Sequence, residues 1–356
     1  MRAEDLPKDL TSFITRTTQD HVNGGGFGDV WKCNYNANGT SAVVAVKAFR
    51  YPEQYYDSEK INKKINREIG ILMILSHDNI VPLLGTATGF GRRPELLGLV
   101  TPWIPNGTLN VYLASQHNEL TMLDRSRMLK DVSAGLRYLH SVPVVHGDIT
   151  GANILIDEGG QAKLIDFGLS TVVLPLLGQL HLAATSIHAG AIPYAAPELL
   201  TSDIGDLPLE KTKTDIYSFG CVMLQILSGR RPWSEITQNL ELRVYGLICQ
   251  GHSPQRPTGH PAIMDSDWDI IQKCLQFKFQ LRPSADEVFD LVMRRVLSSD
   301  SSSPPNGPPD DASFNTDSWP SLPSLSTGPV TAFSTDSCKL HPCRVSVEAN
   351  IFHHHE

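Results

Sequence analysis

Two loop segments carry residues whose types and spacing suit phosphate and metal chemistry. In VVHGDITGANILI, residues 144–156, Asp148 and Asn153 stand five positions apart between two apolar runs. In LIDFGLS, Asp166 directly follows a third apolar run. Either segment alone could be a turn, because Asp and Asn favour turns. Brought together, their carboxylate and amide oxygens would suit Mg²⁺, a hard cation that keeps water and substrate phosphates as its remaining ligands.

Two further features lie in the first seventy residues. The glycine cluster NGGGFGDV, residues 23–30, could approach phosphates through its backbone N–H groups, because no Cβ atoms intervene. Taken alone, such a cluster more often marks a flexible hairpin. Lys47 ends the apolar run VVAVK, where a lone lysine is costly unless it is paired. Glu68 could be its partner, although a solvated surface pair is the more ordinary interpretation of two such charges.

The elements that must position the glycine cluster and Lys47 are predicted to be strands. Partial alternation in FITRTTQDHV predicts one strand, and the runs FGDVWKCNY and SAVVAVKAF predict two more. Asn38–Gly39 lies between the last two runs and is typical of a hairpin turn. One helix is predicted next, from residues that recur at helical spacing: Ile61, Ile65, Glu68, Ile69 and Leu72.

The segments after about residue 108 are predicted to be mainly helical. A long amphipathic helix covers LTMLDRSRMLKDVSAGLRYLHS, with one apolar face formed by Met128, Val132, Leu136 and Leu139. KTDIYSFGCVMLQILSG predicts a core helix that ends at Gly229, because its apolar stretch is too short to span a bilayer. WDIIQKCLQ and SADEVFDLVMRRVL predict the last helices of the ordered part.

Five chemical features follow one another along the chain: the glycine cluster, Lys47, Glu68, the loop with Asp148 and Asn153, and Asp166. Three other segments belong to the same pattern: AAPE with Glu198, TDIYSFG with Asp215, and LRPS with Arg282. On these motifs the sequence resembles a eukaryotic protein kinase over roughly residues 11–297. HDNIVPLLG and PNGTL look most like the tyrosine-kinase-like branch, whose catalytic loop here would read HGD without the usual Arg.

The resemblance implies an α+β, bilobal fold and a division of the chain. A small β-rich lobe with one helix would occupy residues 11–100, and a larger helical lobe residues 105–297. Residues 1–10 would form an N-terminal extension. Residues 298–356 are rich in Ser, Pro, Asp and Gly, and we predict a disordered tail because such a segment buries too little apolar surface to offset its ordering entropy.

The resemblance also assigns ATP and Mg²⁺ as cofactors and gives each motif residue a role. Lys47 would hold the α- and β-phosphates and pair with Glu68, Asp148 would accept the proton of the substrate hydroxyl, and Asn153 and Asp166 would hold the metal. The family's Glu198–Arg282 pair would be structural. The residues expected around the nucleotide are Gly25, Gly26, Phe27, Gly28, Val30, Ala45, Lys47, Thr101 at the gatekeeper position, and Pro102, Trp103 and Ile104 along the hinge.

Some positions depart from the family pattern. Gly147 replaces the Arg that in many kinases receives a phosphorylated activation-loop residue through charge-assisted bonds. We therefore expect activity without phosphorylation of the candidate sites in the activation loop, Thr171, Thr185 and Ser186. Asn23 in place of the first loop glycine is a mild change, because Asn tolerates left-handed backbone geometry.

Thr150 is the more serious departure, because a Lys near the γ-phosphate is usual there in Ser/Thr kinases. Losing one such cation could cost about 10²–10³ in rate. Ala191 likewise replaces a Thr that is typical of the Ser/Thr members, and markers of Tyr kinases are absent too. Three functions stay open: an active protein kinase with a Ser/Thr or Tyr acceptor, a nucleotide-binding pseudokinase or scaffold, and a small-molecule kinase.

Composition and charge limit the partners and the cellular location that we expect. The net charge of −8 argues against nucleic acid as the main partner. We expect no signal peptide and no membrane span, and a cytoplasmic location in which six scattered cysteines stay reduced. The tail could bind partners or be phosphorylated. Its CKLHPC segment and His353–His355 contain residue types that bind metals. The spacing of Cys338 and Cys343 misses the usual pattern, however, and polar disordered sequence is favoured.

Overall fold

The structure is a computed structural model, and it covers nine stretches of the chain. These are residues 7–25, 28–37, 39–49, 66, 69–166, 171–172, 189–200, 211–238 and 240–300. Several positions named above lie outside the described residues: Gly26, Phe27, Ile61, Ile65, Glu68, Thr185, Ser186, Cys338, Cys343 and His353–His355.

The first lobe is an antiparallel six-stranded sheet in the order β1-β3-β4-β6-β5, with β2 also paired to β3. Its strands are β1 (Ile14–Arg16), β2 (Asn23–Gly25), β3 (Gly28–Ala37), β4 (Thr40–Phe49), β5 (Gly85–Ala87) and β6 (Gly98–Pro102). The register of β3 with β4 runs from Gly28↔Phe49 to Ala37↔Thr40. This register confirms a hairpin between Ala37 and Thr40, where one was predicted. The φ of +78° at Gly39 explains the glycine there, and Asn38 lies outside the described residues.

The edge of this sheet at β5 is extended by residues N-terminal to β1. The Leu10 N–H donates to the Thr86 carbonyl at 2.8 Å, and the Thr86 N–H donates to the Lys8 carbonyl at 2.9 Å. Leu10 is buried in the core of the sheet. A Cβ atom at Gly85 would lie 2.3 Å from the Lys8 carbonyl oxygen, so this close approach requires glycine. A strand was predicted over residues 13–22, but the observed strand in this range is shorter and consists of β1.

One helical segment accompanies the sheet, α1 at residues 69–74. Ile69 and Leu72, two members of the predicted apolar stripe, are buried in the main hydrophobic core. The remainder of that stripe lies outside the described residues.

The second lobe is helical, as expected. Its helices are α2 (Leu109–Gln116), α3 (Met122–Ser141), α4 (Pro197–Leu200), α5 (Lys211–Ser228), α6 (Leu240–Cys249), α7 (Asp265–Cys274) and α8 (Ala285–Asp300). The α3 helix begins at a capping box, in which the Thr121 hydroxyl accepts from the Asp124 N–H and the Asp124 carboxylate accepts from the Thr121 N–H. Its predicted apolar face is confirmed, because all four of its named residues are buried.

The α5 helix is the centre of the second lobe. Every residue from Thr214 to Ser228 is buried, which confirms the predicted core helix, and it ends before Gly229 at a φ of +70°. Within the described ranges, no helix combines the length and the apolar character that crossing a membrane requires. The thiols of Cys33, Cys221 and Cys274 are buried and free, as the sequence indicated, whereas Cys249 is free and exposed.

Two short strand pairs lie in the second lobe where it faces the sheet. β8 (Ile154–Ile156) pairs with β9 (Ala162–Leu164), and β7 (Val144–Val145) pairs with β10 (Thr171–Val172). Asp148 therefore follows β7, Asn153 precedes β8, and Asp166 follows β9. The register Ile154↔Leu164 places Asn153 and Ile165 side by side, where the Ile165 N–H donates to the Asn153 carbonyl at 3.0 Å.

A buried ion pair fastens the far side of the second lobe. The Arg282 guanidinium donates to both carboxylate oxygens of Glu198, at 2.5 and 2.7 Å. The two side chains are 0% and 1% exposed. The pairing expected from the motifs is thus confirmed, and it ties α4 to the segment before α8.

We predict that Glu198→Gln lowers the free energy of unfolding by about 3–5 kcal/mol, because it leaves the Arg282 cation buried without its counter-charge. Urea unfolding followed by fluorescence measures the change. Glu95→Gln is the control, since Glu95 pairs with Arg93 at the surface and its loss should leave the midpoint nearly unchanged. Equal midpoints for the two variants would contradict a stabilising role of the buried pair.

Candidate active site

His146 fixes the start of the loop that carries Asp148. Its Nε2–H donates to the Ile165 carbonyl at 3.0 Å, and its Nδ1 accepts from the Asp148 N–H at 3.3 Å. These two bonds require the neutral imidazole. Burial lowers the pKa of His146, which agrees with that neutral form. The imidazole thereby links the loop before β8 to the residue before Asp166.

Asp215 on α5 holds the same loop from below. One carboxylate oxygen accepts the Gly147 N–H at 2.8 Å, and the other accepts the His146 N–H at 2.9 Å. His140 contacts the second oxygen at 2.9 Å. Gly147 itself has a φ of +77°, in the left-handed region that residues with a Cβ avoid. The sequence singled out Gly147 only for the arginine it lacks, and this backbone geometry gives it a conformational role.

Asp148 and Asn153 lie in direct contact. The Asn153 amide nitrogen donates to the Asp148 carboxylate at 2.6 Å and to the Asp148 carbonyl at 2.8 Å. Because both bonds use the amide nitrogen, the amide oxygen of Asn153 faces away from Asp148. It accepts no hydrogen bond from the described residues, so it is available to a cation.

Lys47 reaches across from the first lobe to Asp166 in the second. Its ammonium nitrogen lies 2.5 Å from the Asp166 carboxylate, and the two side chains are only 17% and 15% exposed. The interpretation of Lys47 as part of a solvated surface pair is therefore wrong, because the charge sits in a cleft between lobes. Asp166 has a φ of +68°, uncommon for a residue with a side chain. The pairing of Lys47 with Glu68 lies outside the described residues and stays a prediction.

The carboxyl group of Asp148 has a higher pKa than an ordinary aspartate. Burial and then the nearby charge of Asp166 raise its pKa to about 7, against the opposing effects of the Asn153 hydrogen bond and Lys47. A group that titrates near neutrality can accept a proton and release it again. Asp148 is thus chemically suited to act as a general base.

The oxygens in the cleft fit a cation that brings its own further ligands. Among the described residues, no group of three or more His, Cys, Asp or Glu side chains is assembled around a metal position. A cation here would have the Asp166 carboxylate and the Asn153 amide oxygen, and would need other oxygens. Mg²⁺ is commonly held in this way, by one or two protein ligands together with substrate phosphates and water.

The sheet above the cleft presents four of the expected nucleotide residues on one face. Val30 lies opposite Lys47, and Ala45 lies opposite Thr101. Ala45 and Lys47 alternate along β4, so all four side chains point the same way. Each is partly exposed, in contrast to their buried neighbours. Val30 and Ala45 thus give this face an apolar surface beside the ammonium group.

The strand junctions at the hinge and the glycine cluster have specific backbone features. A Cβ atom at Gly28 would lie 2.5 Å from the Ala48 carbonyl oxygen, so glycine is required there. Gly25 pairs with Gly28 across β2 and β3. The Trp103 N–H donates to the Val43 carbonyl at 3.1 Å and continues the sheet. The Ile104 N–H bonds to none of the residues that the structure describes, so it can serve a ligand.

Two of the positions that depart from the family pattern, Thr150 and Ala191, are buried. Thr150 is buried, and its hydroxyl accepts the Ala152 N–H at 3.3 Å. Ala191 is buried in the turn before α4. Neither supplies a charge. The supporting roles of His146 and Asp215 were not assigned from sequence, although a lone acid in the apolar α5 segment was a visible signal that it has a buried partner.

The sequence of this chain is similar to one known family and to several known proteins. Residues 17–292 match a family described as protein tyrosine and serine/threonine kinase. Similar proteins include a probable serine/threonine-protein kinase, SIS8, of Arabidopsis thaliana, which is 30% identical over 85% of this chain and 27% of its own length. Receptor-interacting serine/threonine-protein kinase 2 of Bos taurus is 33% identical over 59% of this chain and 38% of its own.

The LRR receptor-like serine/threonine-protein kinase FEI 2 of Arabidopsis thaliana is 28% identical over 82% of this chain and 49% of its own length. The chain thus spans less than half the length of each of these three relatives.

We predict that Gly147→Ala lowers the free energy of unfolding by about 1–2 kcal/mol, because it forces a Cβ into the left-handed region. Gly70→Ala is the control: Gly70 is helical and its added Cβ would meet no atom within 4 Å, so this variant should be as stable as wild type or more so. Urea midpoints compare the two. A Gly147→Ala midpoint at or above that of Gly70→Ala would show that the glycine is not required conformationally.

Proposed function

The chain belongs to the family described as protein tyrosine and serine/threonine kinase, and we propose that it is an ATP-dependent protein kinase with a signalling role. In this proposal it transfers the γ-phosphate of ATP to a protein hydroxyl, with Ser or Thr favoured over Tyr. One observation carries the proposal: the 2.5 Å contact of Lys47 with Asp166 joins the lobes directly beside the 2.6 Å contact of Asp148 with Asn153.

The residues divide the work of the reaction between binding and proton transfer. Adenine would lie against the apolar surface of Val30 and Ala45 and bond to the hinge, and Lys47 would hold the α- and β-phosphates. Asp166 and Asn153 would hold Mg²⁺, which neutralises charge on the phosphate oxygens when it is bound.

Asp148 would act on the acceptor. Its carboxylate oxygen that is bound to Asn153 fixes the orientation, and the other oxygen receives the proton of the attacking hydroxyl. A bond forms between the hydroxyl oxygen and the γ-phosphorus while the bond from that phosphorus to the β-phosphate oxygen breaks, and ADP leaves.

The proposal also names the type of hydroxyl that accepts the phosphate and the branch of the kinase family. The names of the relatives above support a Ser/Thr acceptor. Thr150 and Ala191 give no support to it, because both usual markers are missing there. Membership of the tyrosine-kinase-like branch and an intracellular location stay predictions, as do the kinase-domain limits of residues 11–297. The tail predicted over residues 298–356 overlaps the end of α8, which runs to Asp300. Its role as a partner-binding or phosphorylated segment stays a prediction, which phosphosite mapping checks.

We predict that Asp148→Asn lowers phosphate transfer by about 10²–10⁴, because it removes the general base, while ATP affinity stays within a few-fold of wild type. Transfer of radiolabelled phosphate onto a degenerate peptide library with Mg²⁺ measures the rate and identifies the acceptor type. Asp269→Asn is the control, since Asp269 is an exposed aspartate on α7 and its loss should leave the rate unchanged. Wild type no faster than Asp148→Asn would favour the nucleotide-binding scaffold instead.

We predict that a triple variant, Thr171→Ala with Thr185→Ala and Ser186→Ala, keeps kcat within about threefold of wild type. Gly147 carries no side chain, so a phosphate on this segment would lack the charge-assisted partner that many kinases use. Phosphatase-treated wild-type protein is the matched control in the same peptide assay. Loss of turnover in the triple variant, with its thermal unfolding unchanged, would overturn this expectation.

A further inference from the structure

A buried glutamine on α5 connects two elements that are distant in the sequence. Gln225 is 2% exposed and lies in the otherwise apolar core helix. Its side-chain oxygen accepts the Tyr194 hydroxyl at 2.7 Å, and its side-chain nitrogen donates to the Asn110 amide oxygen at 2.8 Å. Tyr194 ends the turn before α4, and Asn110 lies in the first turn of α2. The glutamine therefore uses both halves of its amide inside the core.

One partner of Gln225, Asn110, also binds the backbone of Gly151. The Asn110 N–H donates to the Gly151 carbonyl at 3.1 Å. The Tyr194 hydroxyl lies near the Gly151 N–H. Three hydrogen bonds thus connect four residues that lie next to one another, which we call the Gln225 ring: Gly151, Asn110, Gln225 and Tyr194.

Gly151 rests directly on this ring. A Cβ atom at Gly151 would lie 2.4 Å from the Asn110 amide oxygen and 2.6 Å from the Gln225 amide oxygen. No other residue type could bring the backbone so close to both side chains. The fit between loop and ring therefore depends on glycine at this position as well as on the two amides.

The position of Gly151 determines that of the reactive groups. It stands between Asp148 and Asn153, and the Asn153 N–H donates to the Thr150 carbonyl at 3.0 Å across it. Asp215 holds the loop at Gly147, and the Gln225 ring holds it at Gly151. Two points on the same helix thus fix both ends of the segment that contains Asp148.

We propose that Gln225 is a positioning residue for phosphoryl transfer, because it fixes the loop between Asp148 and Asn153 through Tyr194 and Asn110. This inference rests on the proposed kinase function. A reacting group displaced by about 1 Å can lose about 10² in rate, so a loosened loop should lower kcat. Nucleotide affinity should change much less, because Lys47, Asp166 and the residues expected around adenine lie outside the loop that the ring holds.

Two substitutions break the ring with little change of volume. Gln225→Met removes both amide bonds, and Tyr194→Phe removes only the hydroxyl. Tyr217→Phe is the matched control: Tyr217 is also a buried tyrosine, on α5, but its hydroxyl has no hydrogen-bond partner among the described residues. Two readouts are compared in the full chain, amide hydrogen exchange of the 146–156 peptide and the kinetic constants of Mg²⁺-dependent peptide phosphorylation.

We expect Gln225→Met and Tyr194→Phe each to speed amide exchange in the 146–156 peptide by about tenfold and to lower kcat about tenfold or more. The KM for ATP should stay within twofold, and Tyr217→Phe should match wild type in every readout. The double variant should be little worse than Gln225→Met alone, because both changes break the same ring.

Unchanged exchange in the 146–156 peptide would overturn the inference whether or not the protein proves active. Faster exchange with an unchanged kcat per nucleotide-binding site would also overturn it, because the loop would then not need to be held. A wild-type protein without phosphate transfer would remove the proposed function and with it the positioning role, while the exchange result would still show whether the ring holds the loop.

Discussion

Two acidic side chains held close together are the constraint on which the candidate site depends. Burial, and then repulsion from the charge of Asp166, raises the pKa of Asp148 to about 7. Such an arrangement needs a nearby positive charge, which Lys47 provides from the opposite lobe at 2.5 Å from Asp166. The ion pair thus joins the lobes and balances the charge of the cleft. A nucleotide with Mg²⁺ would add further charge to a site already arranged around this pair.

The loop between β7 and β8 has no regular structure of its own, so other elements must satisfy its polar backbone. The α5 helix does this from the core. Asp215 accepts two of the loop's N–H groups. Gln225 packs against Gly151 and binds Asn110, whose backbone N–H donates to the Gly151 carbonyl. Buried polar groups are costly unless they are bonded, so their presence in an apolar helix indicates a specific partner. The same core helix therefore supplies both stability and loop geometry.

Local patterns predicted the parts of the fold that depend on local forces. Asn38–Gly39 indicated the hairpin, and the spacing from Met128 to Leu139 indicated the buried face of α3. The partner of a buried polar residue is set by tertiary packing instead. Gln225 and Asn110 are 115 positions apart, and nothing near either residue in the sequence announces their contact. For the same reason the local pattern left a solvated surface pair open for Lys47, and its place in the cleft was expected from the resemblance. The chemistry of Asp148, Asn153 and Asp166 suited Mg²⁺, but turns use the same residues, and the separate role of each came from the resemblance.

The central claim is that the crevice between the lobes binds a nucleotide through Mg²⁺ held at Asp166. Calorimetric titration of ATP into wild type and Asp166→Asn, each with and without Mg²⁺, tests it most directly. We expect Mg²⁺ to strengthen ATP binding to wild type by about tenfold or more, and to have little effect on Asp166→Asn, because the carboxylate ligand is gone. Equal ATP affinities in all four titrations would contradict the account.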